Sequence, residues 1–284
     1  KRAGRGRAVA LDDELRAELD AQHQLEVALR AAIAGDELEL HYQPVFHIDG
    51  ALHGAEALVR WRQPDGTLVP PDEFVPAAER SGSILDLDRW VLTHGLFQLA
   101  RWINGPFPDI CLSVNVSATT LLWEHMVDDV AMALERAGVP GRALMIEVTE
   151  TSLVHDLTTA AEHIAQLLAL GVRTSVDDFG TGYTSVSHLR RLPISEVKID
   201  RSFIQGMGDD DRDRVLVDLM ARIGTMLELQ VVAEGVETPE QLEAVRSIGC
   251  HYVQGYLLGR PVPATELEIG HGQWPRRHLT SVPT

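Results

Sequence analysis

Cysteine is almost missing from this 284-residue chain. Cys111 and Cys250 stand far apart, give no zinc spacing and fit a reducing compartment; both read as small core residues. The histidines form no H-E-x-x-H or other zinc pattern. No G-x-S-x-G elbow and no P-loop occurs, which argues against a serine hydrolase and an NTPase. No uninterrupted apolar run reaches the roughly 18 residues of a membrane span. The start, "KRAGRGRAVALDDELR", carries charge where a signal peptide has its apolar stretch. Positive charge is also scarce: 25 Lys and Arg against 42 Asp and Glu leave a formal net charge of -17. Such a surface repels polyanions, so no DNA or RNA duplex is expected as partner. A phosphate-bearing ligand would have to be held locally, by metals or a few placed cations. The basic cluster Lys1, Arg2, Arg5 and Arg7 reads as a solvated terminus. The expectation is a cytoplasmic fragment without membrane contact of its own; any anchor would lie in segments upstream.

What is present is a core and a rhythm. Hydrophobic residues make up 45% of the chain. Strand-like runs at Glu39–Ile48, Leu52–Trp61, Ile110–Ser117, Leu144–Thr149, Val172–Asp177, Glu196–Ile199, Gln230–Ala233 and Tyr252–Leu257 alternate with helix-like runs. The helix-like runs are Leu85–Trp102, Trp123–Ala137, Thr158–Leu170, Thr184–Arg191, Arg212–Leu227 and Pro239–Ile248. Gly138, Gly171 and Gly249 follow apolar-periodic segments as C-terminal caps would, and Thr238-Pro239 is an N-cap and N1 pair. Eight strands interleaved with helices indicate a closed α/β barrel. The first two strands are joined only by "IDGA", a hairpin turn too short for a crossover, so this pair is expected to be antiparallel and the barrel irregular there. The alternative, an open doubly wound sheet, usually carries a Gly-rich phosphate loop after its first strand, and none is present.

Polar groups recur within or just past these apolar runs: Gln43, Glu56, Asn115, Glu147 with Glu150, Asp177 with Asp178, Lys198 with Asp200, Glu234 with Glu237, and Gln254. Any one of them alone reads as a solvated rim residue. Repetition at one end of one barrel does not, because each unpaired buried ion costs several kcal/mol. Oxygen-only donors indicate a hard cation, Mg²⁺, Mn²⁺ or Ca²⁺. In "SVDDFG", two aspartates end a buried strand. Where the backbone turns, both can reach one site and hold two cations, the usual arrangement for splitting phosphate esters. Lys198 has a place there, orienting the attacking water or helping to deprotonate it.

The motifs "YQP", "EALVRW", "FVPAAE", "VNVS", "IEVTE", "DDFGTGY", "KIDRSFI", "AEGVET" and "QGY" run in order from about Leu25 to Pro263. In this the chain resembles EAL domains, the phosphodiesterases of cyclic di-GMP. The resemblance implies an irregular (β/α)8, TIM-like barrel with an antiparallel first strand pair. It implies Glu56, Asn115, Glu147 and Asp177 as ligands of a first metal, with Asp177 bridging to a second completed by Asp178 and Glu234. It implies Lys198 at the nucleophilic water, Gln43, Arg60, Gln254 and Glu237 as substrate-binding groups, and Glu150 as anchor of the loop Phe179 to Ser185. Asp200 and Glu237 match supporting acids. The implied reaction is metal-dependent hydrolysis of cyclic di-GMP to linear pGpG, with two Mg²⁺ or Mn²⁺ ions and with Ca²⁺ inhibitory. One departure stands in the loop, where Thr184 replaces the family's more frequent serine.

The first residues resemble the end of a GGDEF domain. The expected division is an upstream remnant and linker helix over 1–20, the barrel over 21–265 and a tail over 266–284. Partners expected on this resemblance are cyclic di-GMP, a second copy through the barrel, and an upstream GGDEF or sensor domain. The competing readings are a catalytically silent receptor for cyclic di-GMP and a scaffold acting through protein contacts alone.

Overall fold

The computed structural model describes residues 13–35, 37–63, 65–154, 156–182, 186–207 and 211–270. Residues 1–12, the loop residues Tyr183, Thr184 and Ser185, and the segment 271–284 lie outside the described residues. Among the described residues ten strands form one sheet: β1 (Leu38–His47), β2 (Leu52–Arg62), β3 (Leu68–Val69), β4 (Cys111–Asn115), β5 (Leu144–Thr149), β6 (Arg173–Phe179), β7 (Glu196–Ile199), β8 (Gln230–Ala233), β9 (Tyr252–Val253) and β10 (Val262–Pro263). The order runs β1-β9-β8-β7-β6-β5-β4-β2 and closes through a β1–β2 pairing, so eight strands form a barrel; β3 and β10 attach to its rim. The helices are α1 (Asp13–Ala34), α2 (Pro71–Ser81), α3 (Ile84–Ile103), α4 (Ala118–Leu121), α5 (Met126–Ala137), α6 (Glu150–Val154), α7 (Leu157–Ala169), α8 (Val186–Leu189), α9 (Arg201–Gly206), α10 (Asp211–Met226), α11 (Pro239–Ile248) and α12 (Ala264–Ile269). No helix among the described residues is long and apolar enough to cross a membrane.

The first strand pair is antiparallel, as the short connection requires. Gly50 takes φ 99 in the turn, and Asp49 Oδ1 accepts from the Ala51 amide at 3.1 Å. β1 also runs antiparallel to β9, whereas β2 pairs parallel with β4 and every later barrel pair is parallel. Caps set the helix ends. α11 begins with a capping box between Thr238 and Gln241 and stops at Gly249 in the left-handed region; α5 stops at Gly138 in the same way.

Several elements depart from the sequence reading: the short helices α4, α6, α9 and α12 and the rim strands β3 and β10 were not expected, and of the expected helix Thr184–Arg191 only Val186–Leu189 is helical among the described residues. The last strand ends at Val253, not Leu257, because the chain turns at Gly255. A Cβ there would fall 2.1 Å from the Val236 carbonyl oxygen, so the two backbones meet directly. The helix α2 was not expected, since Pro70, Pro71 and Pro76 crowd it. Pro71 sits at the helix start, where its missing N–H costs nothing, and Phe74, Ala77 and Ala78 bury the inner face. α1 runs unbroken across residue 20, and α12 carries buried Leu267 past residue 265. Trp102 on α3 donates to Glu268 Oε1 at 2.8 Å and ties α12 to the barrel's outer layer.

The core lies between strands and helices, with Leu96, Leu99, Trp102, Leu112, Val114 and Ile146 fully buried. Each such side chain contributes about 1.5–3 kcal/mol. At Gly54 the β2–β4 contact is so close that a Cβ would stand 2.5 Å from the Cys111 carbonyl oxygen. Because the obstacle is backbone, Gly54→Ala is expected to destabilise the fold by about 1–3 kcal/mol. Urea unfolding checks this; an unchanged midpoint would show that the two strands separate freely.

Candidate active site

In a strand, side chains two apart share a face. That rule, applied to six barrel strands, brings Glu56, Asn115, Glu147, Asp177, Lys198 and Glu234 toward one point. Lys198 Nζ lies at its centre. It stands 2.5 Å from Glu234 Oε1, 2.8 Å from Glu147 Oε2, 3.5 Å from Glu56 Oε2 and 3.6 Å from Asp177 Oδ1. Only two lysines occur in the chain, Lys1 and Lys198; the other cations are arginines. Glu56 is held from the sides as well, by Asn115 Nδ2 at 2.6 Å and Gln254 Nε2 at 2.7 Å.

The paired aspartates are placed by an irregularity. The β6–β7 register breaks between Val176 and Phe179, and Asp178 takes φ 55. Left-handed backbone at a non-glycine residue costs about 1 kcal/mol or more. The break ends strict alternation, and the Asp178 amide donates to Asp177 Oδ1 at 2.9 Å. Next along the chain, Glu150 Oε2 accepts from the amides of Gly180 and Gly182 at 3.1 and 3.2 Å. A Cβ on Gly182 would touch that carboxylate at 2.8 Å, so glycine lets the loop close on its anchor.

One ammonium cannot neutralise four carboxylates. Burial, followed by the nearby acids, pushes Glu147 up to about 8 even beside Lys198. Burial and Asp177 raise Glu234 well above the usual carboxylate range, and burial with Asp177 and Asp200 raises Asp178 to about 6. At Glu56 burial acts the same way but is outweighed by Lys198, Gln254 and Asn115, which hold it below its ordinary value. Burial would lower Lys198, but the four acids outweigh it and hold it well above the ordinary value.

The remaining expected groups are distributed around this cluster. Gln43, opposite Glu56 across β1–β2, donates to the Gly259 carbonyl at 3.1 Å. Arg60, half-buried on the same face as Glu56, donates to the Val59 carbonyl at 2.8 Å. Glu237 is exposed and accepts from Gln205 at 3.2 Å. Asp200 caps α9 through the amide and hydroxyl of Ser202. A cleft of about 390 Å³ opens beside Asn115, with Leu58 and Pro76 as apolar wall and Asp72, Glu79 and Asp88 among its polar groups. These three acids were not singled out from sequence. They lie on or beside α2 and α3, and only the fold brings them to the barrel mouth.

Among the described residues no three His, Cys, Asp or Glu side chains stand spaced as a ligand set around a common point, since Lys198 holds the centre. The donor chemistry nevertheless fits hard divalent ions: carboxylate and amide oxygens in excess of positive charge, without sulfur or imidazole. Gln254 Oε1, buried beside Glu56, has no hydrogen-bond partner and adds an unused acceptor.

The fold and this site define an EAL-type barrel. The EAL domain family model matches residues 26–261, and the chain belongs to that family. It is 41% identical over 268 residues to the bifunctional diguanylate cyclase/cyclic di-GMP phosphodiesterase MucR of Pseudomonas aeruginosa, covering 94% of this chain and 39% of the relative. It is 42% identical over 269 residues to the cyclic di-GMP phosphodiesterase NbdA of the same organism, covering 94% and 34%. The chain thus spans between a third and two-fifths of these relatives' length. Among solved structures, the PaMucR phosphodiesterase in complex with c-di-GMP superposes with a TM-score of 0.83 at 42% identity, covering 86% of this chain and 99% of that one.

The charge balance generates a pH-dependent expectation. A carboxylate whose folded pKa is raised above its unfolded value of about 4.3 costs no stability below that value. It costs progressively more as pH rises toward the folded one. Lys198→Met leaves Glu56, Glu147, Asp177 and Glu234 without a cation; it raises Glu147 and Glu234 further and removes the main group that holds Glu56 down. The loss is expected to be about 3–5 kcal/mol at pH 8 and much smaller at pH 5, where protons replace the lysine. Urea unfolding in chelator at both pH values measures it; an equal loss at both would contradict this charge balance.

Proposed function

We propose that this chain hydrolyses cyclic di-GMP to linear pGpG with two divalent cations, Mg²⁺ or Mn²⁺. The observation that carries the reading is the convergence of four carboxylates from separate strands on Lys198, beside a cleft of purine size. Glu56, Asn115, Glu147 and Asp177 would hold one ion, and Asp177, Asp178 and Glu234 the other. When bound, the ions would supply positive charge to the phosphate oxygens as the transition state develops. The chain's own groups do the rest. Lys198 donates to the attacking water and orients it in line with the leaving oxygen. The water oxygen bonds to phosphorus as the P–O3′ bond breaks. Its proton passes to a site carboxylate, and the 3′ oxygen takes one from solvent. Arg60 and Gln43 contact the dinucleotide, and Gln254 fixes Glu56. Leu58 and Pro76 offer an apolar face to a guanine, whose N1–H and amino group suit the acids of the cleft. Glu150 holds the loop after β6 in place through two amides. Positioning and fixed charge supply most of the rate.

The same reading places the chain in a cytoplasmic signalling protein with an upstream GGDEF or sensor domain and a homodimer through the barrel. The experiment that tests it is incubation of the purified chain with cyclic di-GMP and Mg²⁺. Release of pGpG is expected. Binding without release would identify a receptor, and neither would leave a scaffold.

Glu56→Ala is expected to lower turnover by at least about 10²–10³-fold with an unchanged circular dichroism spectrum. Retained turnover would remove Glu56 from the ion-binding set. Ca²⁺ is expected to bind and to inhibit, because its looser, longer coordination does not reproduce the geometry Mg²⁺ demands. Full activity in Ca²⁺, read by product chromatography, would contradict the two-ion arrangement.

A further inference from the structure

A barrel interior is ordinarily filled with apolar branched side chains. Here the layer beneath Lys198 contains a carboxylate. Glu196 is 4% exposed, and two residues along β7 from Lys198 it shares the inward face. Among the described residues it makes no ion pair within 4 Å. Its register partner on β6 is Ser175, whose buried side chain lies beside the carboxylate. A buried carboxylate costs several kcal/mol unless it is fully paired; burial holds Glu196 above its ordinary value even though the Ser175 side chain and the charges of Lys198 and Arg173 favour the ionised form.

A small enclosed cavity adjoins this carboxylate. It measures about 10 Å³ and lies between the two layers, lined by the polar side chains of Ser113, Glu147, Glu196 and Lys198 and by Val45 and Val232. That is the lower limit for a single water, and the wall offers the two to four polar partners a buried water needs. The ammonium also has one loosely engaged donor. Two of its three N–H groups are used at 2.5 and 2.8 Å by Glu234 and Glu147, and the third is shared between the longer contacts to Glu56 at 3.5 Å and Asp177 at 3.6 Å. The other cationic candidates near Glu196 have partners of their own, although the charge of Arg173 also favours the carboxylate. Arg173 donates to Cys111 Sγ at 3.1 Å. His53 enters this floor because β1–β2 pairing slips between Val45 and Phe46, and it stacks on Tyr252 with ring centroids 4.1 Å apart. Burial, with His47 and Arg173, pushes it down to about 4, so it stays neutral.

We propose that Glu196 is a positioning residue for Lys198, acting from below through one water held in this cavity. The proposal rests on the phosphodiesterase reading above. When divalent ions take the carboxylates around Lys198, the acceptor beneath keeps the ammonium at the height where it meets the attacking water. A misplacement of about 1 Å in such a group costs up to 10²-fold in rate.

The test uses the full 284-residue chain. Because Lys1 and Lys198 are the only lysines, protein grown on ¹³C,¹⁵N-lysine gives two side-chain signals, and the inner one reports Lys198 directly. In the wild type a nuclear Overhauser contact between the Lys198 ε-protons and a buried water is expected. Glu196→Leu is expected to abolish that contact, to shift the Lys198 signal and to lower kcat roughly tenfold with KM unchanged. Glu196→Gln, which keeps an acceptor, is expected to restore most of both. A missing water contact in the wild type overturns the proposal. So does a Lys198 signal unmoved by Glu196→Leu, or a rate loss that follows only the unfolded fraction measured in urea. If the wild type itself releases no pGpG, the phosphodiesterase reading falls, while the lysine signals still decide the role of Glu196.

Discussion

One ammonium inside a ring of carboxylates is the constraint on which the rest of this molecule depends. Lys198 is 1% exposed and reaches four acids delivered by four different strands. No single segment could assemble that ring, because a strand offers one inward side chain per layer. Closure of the sheet is therefore what creates the site. The cost is equally clear: one positive charge against four negative ones leaves an excess that protons or metal ions must balance. Raised carboxylates at Glu147 and Glu234 are the protonic answer. The proposed divalent ions are the other answer.

The irregular places in the barrel are those nearest the chemistry. The antiparallel β1–β2 pair sets Gln43 directly opposite Glu56, a juxtaposition that parallel register would not give. The broken register in β6 turns Asp178 out of alternation and starts the loop that Glu150 then fastens through Gly180 and Gly182. Met220 and Phe203 fill the space where a side chain on Gly180 would stand, so the loop also leans on α9 and α10. Strain at Asp178 is tolerated because contacts on both sides hold it.

Much of this was legible in the sequence, and the parts that were not share a cause. Alternating runs gave the strand count, the four-residue "IDGA" gave the antiparallel pair, and Thr238, Gly138 and Gly249 marked helix ends, because each of these signals is local. The cluster residues were legible as polar interruptions of apolar runs, and the family resemblance named their roles. That a lysine would occupy the centre of the acids was not legible, since no local pattern says which inward side chains meet. The same holds for Glu196, which reads as a solvated strand start until the barrel closes over it. The helix α2 was hidden by its prolines, whose helical compatibility depends on position within the first turns. Strand β9 stops early because Gly255 meets the backbone of Val236, a contact between segments that only tertiary structure creates.

The charge of the whole chain acquires a meaning under the proposed function. At -17 the surface repels anions, yet the proposed substrate carries two phosphates. At physiological ionic strength fields fade over about 8 Å, so a small cyclic dinucleotide would meet that repulsion only near the rim and would then meet the proposed cations inside. A nucleic-acid strand would bring many phosphates against the acidic surface at once. Concentrating attraction at the barrel mouth and leaving the exterior acidic thus selects a short anionic ligand over a polymer with the same linkage. The near absence of lysine belongs to the same arrangement, because the lysine at position 198 is spent inside the barrel and not on its surface.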